Sequence, residues 1–239
     1  MKSIFFSALA FISLNSCCSQ TDSIKNIPKD TNSLYPSPDV IIPYHTEWTK
    51  THYIKRISEF KANPLQLGDI VFVGNSLTEQ GENWGQRFMN SKVKNRGIAG
   101  DVTAGVINRL AEIYYYKPKK VFLKIGINDL FHDELTPEYV AKNIKSIVEK
   151  IHLESPDTKI YVQTILPTSN NTALKNKIAA TNTIIKNSPQ SNYCQVIDLH
   201  AIFADTNDLM ISSYTVDGVH LSKSGYILWQ NFIKEYVTN

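Results

Sequence analysis

From about residue 67 to the carboxyl terminus, apolar and polar positions follow two alternating rhythms. Near-continuous apolar runs occur at 69–74, 121–125, 160–165 and 194–199, with a weaker one at 92–98. Runs this short, with little alternation, predict strands buried on both faces. Longer stretches with helical spacing lie between them at 102–116, 137–153 and 173–186. A last helical stretch at 222–237 offers Tyr226, Trp229, Phe232, Ile233 and Tyr236 to the sheet. Upstream, Trp48, Ile54, Ile57 and Phe60 predict a helix over 47–60 packed on the body. Strands alternating with helices predict α/β architecture: a three-layer α/β/α sandwich around a central parallel sheet of about five strands. Ligands bind such sheets beyond the carboxyl ends of the strands, so chemistry is expected there.

The amino-terminal pattern differs. Lys2 precedes an apolar run at 4–14, too short to span a bilayer as a helix, and Asn15-Ser16-Cys17 follows. That layout predicts a secretory signal peptide over residues 1–16. Leu14-Asn15-Ser16-Cys17 resembles a bacterial lipobox, although Asn15 stands where a small residue is usual. The resemblance implies acylation of Cys17, export to the bacterial cell envelope as a lipoprotein (periplasmic or surface-facing), and membrane attachment through that lipid anchor only. Residues 17–45, rich in Ser, Thr, Asn, Asp, Lys and Pro, predict a flexible tether, and 46–239 the folded domain.

Composition narrows the function. The chain has 239 residues, a 42% hydrophobic and 20% charged composition, and a formal net charge of +3. These values suit one globular domain. With no basic run interleaved with aromatics, a nucleic-acid partner is not expected. Cys194 is the one cysteine in the body of the chain, so a disulfide framework is excluded within the domain. Its neighbours Val196 and Ile197 place it in a core strand as a small hydrophobe. Asp198, Asp205 and Asp208 lack metal-ligand spacing, and no dinucleotide fingerprint or Walker loop occurs. The expectation is an activity with no metal and no cofactor.

Four motifs fall at the ends of predicted strands or in the last loop. Gly74-Asn75-Ser76-Leu77-Thr78 puts a serine just beyond the first strand, where Gly74 permits a tight turn. Gly-x-Ser-x-Gly, the α/β-hydrolase elbow, is absent. Gly100, at the junction after the second strand, can present a bare N–H to a developing negative charge. Asn128, in Gly126-Ile127-Asn128-Asp129, offers an uncharged N–H donor after the third strand. In Asp217-Gly218-Val219-His220, a carboxylate three residues before an imidazole can orient it as a base for Ser76. Each motif has a bland reading as a turn or a cap. His132, in an acidic loop four residues after Asn128, is a weaker candidate for the cleft; His45, His52, His152 and His200 carry no motif.

In this order and at these places, the four motifs resemble the SGNH (GDSL-like) hydrolase superfamily, over essentially all of the chain from residue 67. The resemblance implies its flavodoxin-like fold and a catalytic set of Ser76, Asp217 and His220. It also implies an oxyanion hole from Ser76, Gly100 and Asn128. Asn75 departs from the name-giving Asp. The Gly-Asn-Ser form, Trp84, Lys94-Asn95-Arg96-Gly97 and Gly126 to Leu130 are similar to the sialate and carbohydrate O-acetylesterase branch. They are similar as well to platelet-activating-factor acetylhydrolase subunits. The expected function is therefore a serine esterase cleaving short acyl, chiefly acetyl, esters on carbohydrate such as sialic acid or polysaccharide. Its substrate would be a small-molecule or glycan ester, and it would work through an acyl-enzyme. The alternatives are a lipase, thioesterase or lysophospholipase of the same fold, or a non-catalytic glycan-binding lipoprotein.

Overall fold

A computed structural model describes residues 31–169, 172–188 and 192–239. The expected signal peptide, Cys17 and the first part of the tether lie outside the described residues. In chain order the elements are α1 (Glu47–Ala62), β1 (Ile70–Gly74), α2 (Ser76–Glu79), α3 (Trp84–Arg87) and β2 (Val93–Gly97). Then come α4 (Thr103–Asn108), α5 (Ala111–Tyr116), β3 (Lys120–Lys124), α6 (Ile127–Leu130), α7 (Pro137–Glu154) and β4 (Lys159–Gln163). The chain finishes with α8 (Thr172–Asn187), β5 (Cys194–Ile197), α9 (His200–Phe203) and α10 (Lys223–Thr238). Among the described residues, no helix is long and apolar enough to cross a membrane.

The five strands form one parallel sheet in the order β2-β1-β3-β4-β5. Alternate residues of β1 feed two cores. Val71 and Val73 join Leu110, Ile113, Ile144, Ile147 and Ile178 on one face. Ile70 and Phe72 join Trp84, Phe203, Trp229 and Ile233 on the other. Both faces are covered by helices, which is why the strands read as continuous apolar runs. The expected three-layer α/β/α fold is the one observed. The chain leaves β1 for β2 on one side and then crosses to β3 on the other. The carboxyl ends of β1 and β3 therefore border the crevice where such sheets bind ligands.

The helices start where local chemistry allows. Thr46 caps α1 by accepting the Thr49 N–H at 3.1 Å, and Ser222 caps α10 through the Gly225 N–H at 3.2 Å. Thr136 caps α7, and Pro137 occupies a first-turn position where its missing N–H costs nothing.

Four expectations change. The helix expected over 102–116 is two helices, because Arg109 leaves helical geometry and turns its guanidinium inward under the strand ends. Trp48 does not pack on the body: it is 61% exposed, and α1 buries Thr49, Tyr53, Ile57 and Phe60 instead. Phe232 is likewise exposed on α10. The tether is shorter than residues 17–45 predict. Leu34 and Ile42 are buried, and the Tyr35 hydroxyl donates to the Glu112 carboxylate at 2.9 Å. Glu112 also pairs with Arg96 at 2.8 Å, so Tyr35 is tied into a buried ionic group.

Candidate active site

Ser76 opens α2 directly after β1 and is 7% exposed. As the first residue of a helix, it has an N–H with no intrahelical acceptor. Asn75, the departure from the name-giving motif, caps this helix: its Oδ1 accepts the Leu77 N–H at 3.2 Å. Gly74 is required here because a Cβ would lie 2.2 Å from the Lys124 carbonyl oxygen and 2.3 Å from Thr78 Oγ1. Without a side chain at 74, α2 folds back over the end of β1.

His220 reaches Ser76 from the loop before α10. Its Nε2 lies 3.0 Å from Ser76 Oγ, and its Nδ1 lies 2.7 Å from Asp217 Oδ2. The other Asp217 oxygen accepts the N–H groups of Val219 and His220 at 2.9 and 2.7 Å, closing the turn. Gly218 makes that turn with a φ of +92° and accepts the Ser169 N–H at 2.9 Å, pinning the loop to the segment that follows β4. Because a carboxylate only accepts, the proton belongs on Nδ1, which leaves Nε2 to accept from the serine hydroxyl. Partial burial alone would raise the Asp217 pKa. Hydrogen bonds from the His220 ring and from the two backbone N–H groups outweigh it and hold the carboxyl at about 2.

The sheet order sets Ser76 between the two other expected donors. Gly100 follows β2 on one side and Asn128 follows β3 on the other. Gly100 has a φ of +78°, and Thr49 of α1 sits 2.6 Å from where its Cβ would be. Among the described residues its N–H meets no acceptor. Asn128 donates one amide N–H to the Asp101 carbonyl at 2.8 Å, which leaves the second available. That bond fastens Asn128 to the loop that carries Gly100. The site thus has a hydroxyl poised against an imidazole, flanked by backbone and amide donors, as acyl transfer requires.

A buried polar group lies beneath the site, outside the four motifs. Asp101 pairs with Arg109 at 3.0 Å and contacts His45 Nε2 at 3.1 Å. The Arg109 guanidinium also donates to the carbonyls of Arg96 at 2.8 Å and Gly74 at 3.1 Å. One side chain therefore clamps the ends of β1 and β2 and the Gly100 loop together. Arg109 had a legible signal: it falls on the apolar stripe formed by Val102, Val106, Leu110 and Ile113. Asp129, beside Asn128, accepts the Thr103 backbone N–H at 3.0 Å and the Thr103 hydroxyl. Burial pushes its carboxyl up to about 6 despite those bonds.

The remaining histidines are engaged by other partners. His132 tilts against Tyr44 at 5.0 Å, and His52 pairs with Glu79 at 2.9 Å. His200 pairs with Asp208 at 2.7 Å, and His152 stacks on Tyr193. Cys194 sits half-buried in β5, where burial pushes its thiol up to about 11.

A model of the GDSL-like lipase/acylhydrolase family matches residues 72–228, a span that contains all four motifs. The chain belongs to this family. Within the wider SGNH hydrolase superfamily, it is 33% identical over 165 residues to the platelet-activating factor acetylhydrolase IB subunit alpha2 of Homo sapiens. That match covers 66% of this chain and 71% of the relative. A GDSL-like lipase from Bacteroides thetaiotaomicron superposes with a TM-score of 0.68 at 22% identity, covering 77% of this chain and 96% of that one. An acetylxylan esterase from Geobacillus stearothermophilus gives 0.59 at 17% identity, over 73% and 97%. At these identities the two structures speak for the fold. Family and geometry together make the protein a carboxylic ester hydrolase of SGNH type.

Proposed function

We propose that this chain is a serine acetylesterase that removes acetyl groups from carbohydrate. The observation that carries the reading is the line from Ser76 Oγ through His220 to Asp217, at 3.0 and 2.7 Å, opening between Gly100 and Asn128. Ser76 Oγ attacks the ester carbonyl while His220 Nε2 takes its proton. The oxyanion is held by the N–H groups of Ser76 and Gly100 and by the second N–H of Asn128. His220 returns the proton to the departing alcohol. Water then attacks the acyl-Ser76 ester by the same route, releasing acetate.

Acetyl is the acyl group common to the names of the platelet-activating-factor relative and the acetylxylan esterase neighbour. An open site favours a bulky alcohol that stays outside: the His220 and Asp217 side chains are 31% and 51% exposed. The relative's name favours a second reading, in which the alcohol is a lipid. Export as a lipoprotein through Cys17 belongs to the same proposal and places the enzyme where acetylated glycans are met.

A chain-length series tests the acyl group. Cleavage of p-nitrophenyl acetate is expected to exceed that of the octanoate by more than about tenfold in kcat/KM, and a rise with chain length would turn the reading to a lipase. A second prediction concerns Asp217→Asn, which is expected to lower kcat by roughly 10²–10⁴-fold. Its stability effect carries a sign. The folded pKa of Asp217 lies below the ordinary 3.8, so its contribution is complete above about pH 4 and fades as pH falls toward 2. Melting curves of wild type and Asp217→Asn should differ at pH 6 and converge near pH 2.

A further inference from the structure

The structure assigns Trp48 as the platform on which the sugar ring of the leaving alcohol stacks. This rests on the acetylesterase reading and adds the subsite that would select carbohydrate.

Helix α1 lies along the loop that follows β2. Arg56 donates to the Gly97 carbonyl at 3.2 Å. One turn earlier, His52 pairs with Glu79, whose carboxylate also accepts the Ala99 N–H. Thr49 packs against Gly100, and His45 meets Asp101. From its carboxyl end to its amino end, α1 thus tracks the loop after β2 in the opposite direction, one contact at a time. The helix runs with its amino-terminal turn toward the crevice. Trp48 is in that turn, next to the residue that touches Gly100.

Its exposure has a built support. The indole stacks on the His52 ring with centroids 4.8 Å apart and planes 11° from parallel. His52 is in turn fixed by Glu79, three residues after Ser76 on the nucleophile helix. One face of the indole is therefore occupied by a ring tied to the helix that carries Ser76, while the side chain as a whole stays 61% exposed. A rigid aromatic side chain contributes contact area at little entropic cost.

The surroundings choose between alcohols. Glu47, Lys50 and Thr51 around Trp48 are exposed and polar. A pyranose presents an apolar C–H face to an aromatic plane and hydroxyls to such a rim. A lipid tail needs a continuous apolar channel, and a single flat ring does not provide one. Trp84 and Trp229, by contrast, are fully buried in the core.

The test compares two substrates in wild type, Trp48→Ala, Trp48→Phe and the exposed-aromatic control Phe232→Ala. The readout is kcat/KM on acetylated xylo-oligosaccharide divided by kcat/KM on p-nitrophenyl acetate. That ratio is expected to fall roughly ten- to hundredfold in Trp48→Ala, mainly through KM, and to recover in part in Trp48→Phe. It should not move in Phe232→Ala. An unchanged ratio in Trp48→Ala overturns the platform, whether both activities persist or both fall together. Wild-type cleavage of p-nitrophenyl acetate with none of the oligosaccharide also overturns it, and leaves the esterase reading standing. Failure on both substrates removes the esterase reading itself. A binding arm is independent of turnover. Ser76→Ala protein with acetylated xylo-oligosaccharide should show a shift in tryptophan emission, and none at saturating sugar counts against the platform.

Discussion

Replacing Ser76 with alanine is expected to lower esterase kcat by roughly 10⁴–10⁶-fold while leaving the protein folded. The size follows from the chemistry. Ser76 Oγ is the atom that bonds to the acyl group, and without it His220 can activate only a loosely held water. The oxyanion donors remain, and they alone sustain a small residual rate over uncatalysed hydrolysis. The mildness of the structural effect follows from the geometry. Ser76 Oγ contributes one hydrogen bond, to His220 at 3.0 Å, and such a bond is worth about 1 kcal/mol net. Alanine is the better helix former at the start of α2 and fills the same Cβ position. The melting temperature should therefore move by no more than about 4 °C for a domain of this size. Release of p-nitrophenol from the acetate ester, read beside a thermal melt, checks both halves. Activity within tenfold of wild type would remove Ser76 from the mechanism.

The central strands were legible because burial on both faces leaves a run of apolar residues, as in Val121, Phe122 and Leu123. The long helices α7, α8 and α10 are legible from their periodicity. The four-residue helices α2, α3, α6 and α9 are not, since periodicity has no meaning over one turn. Trp48 and Phe232 stand exposed although their spacing predicts packed faces, because an apolar side chain at helical spacing does not say which neighbour covers it. The tether that composition predicts is too long for a related reason. Composition averages over the polar residues around Leu34, Tyr35 and Ile42, yet those three side chains hold the segment to the domain. The candidate residues at the site are readable as motifs, and the family resemblance implies that they meet in one site; the local patterns alone do not. That Ser76 stands between Gly100 and Asn128 depends on the sheet order, which the crossovers decide and no local pattern encodes.

The largest expected loss of stability comes from Arg109→Met. The guanidinium is buried and makes four hydrogen bonds: two to Asp101, one to the Arg96 carbonyl and one to the Gly74 carbonyl. Removing it leaves the buried Asp101 carboxylate without its guanidinium partner, beside only the His45 ring and the Val102 N–H, and breaking such a pair costs about 3–5 kcal/mol. For a domain of this size that corresponds to a fall in melting temperature of roughly 6–20 °C. Asp101→Leu combined with Arg109→Met should recover part of that loss, because no unpaired charge then remains. Activity should not recover with it. Asp101 and Arg109 hold the Gly100 loop against the turn that carries Ser76, and neither Leu nor Met donates to the Gly74 and Arg96 carbonyls. A misplacement of about 1 Å between nucleophile and oxyanion donors is enough to cost a hundredfold in rate. The double variant is therefore expected to melt closer to wild type than Arg109→Met does, yet to turn over p-nitrophenyl acetate at least about a hundredfold more slowly than wild type. If melting temperature and kcat recovered together, the clamp would be a matter of stability alone. Stability regained with the rate still lost would show that the buried pair sets the distance between Ser76 and Gly100.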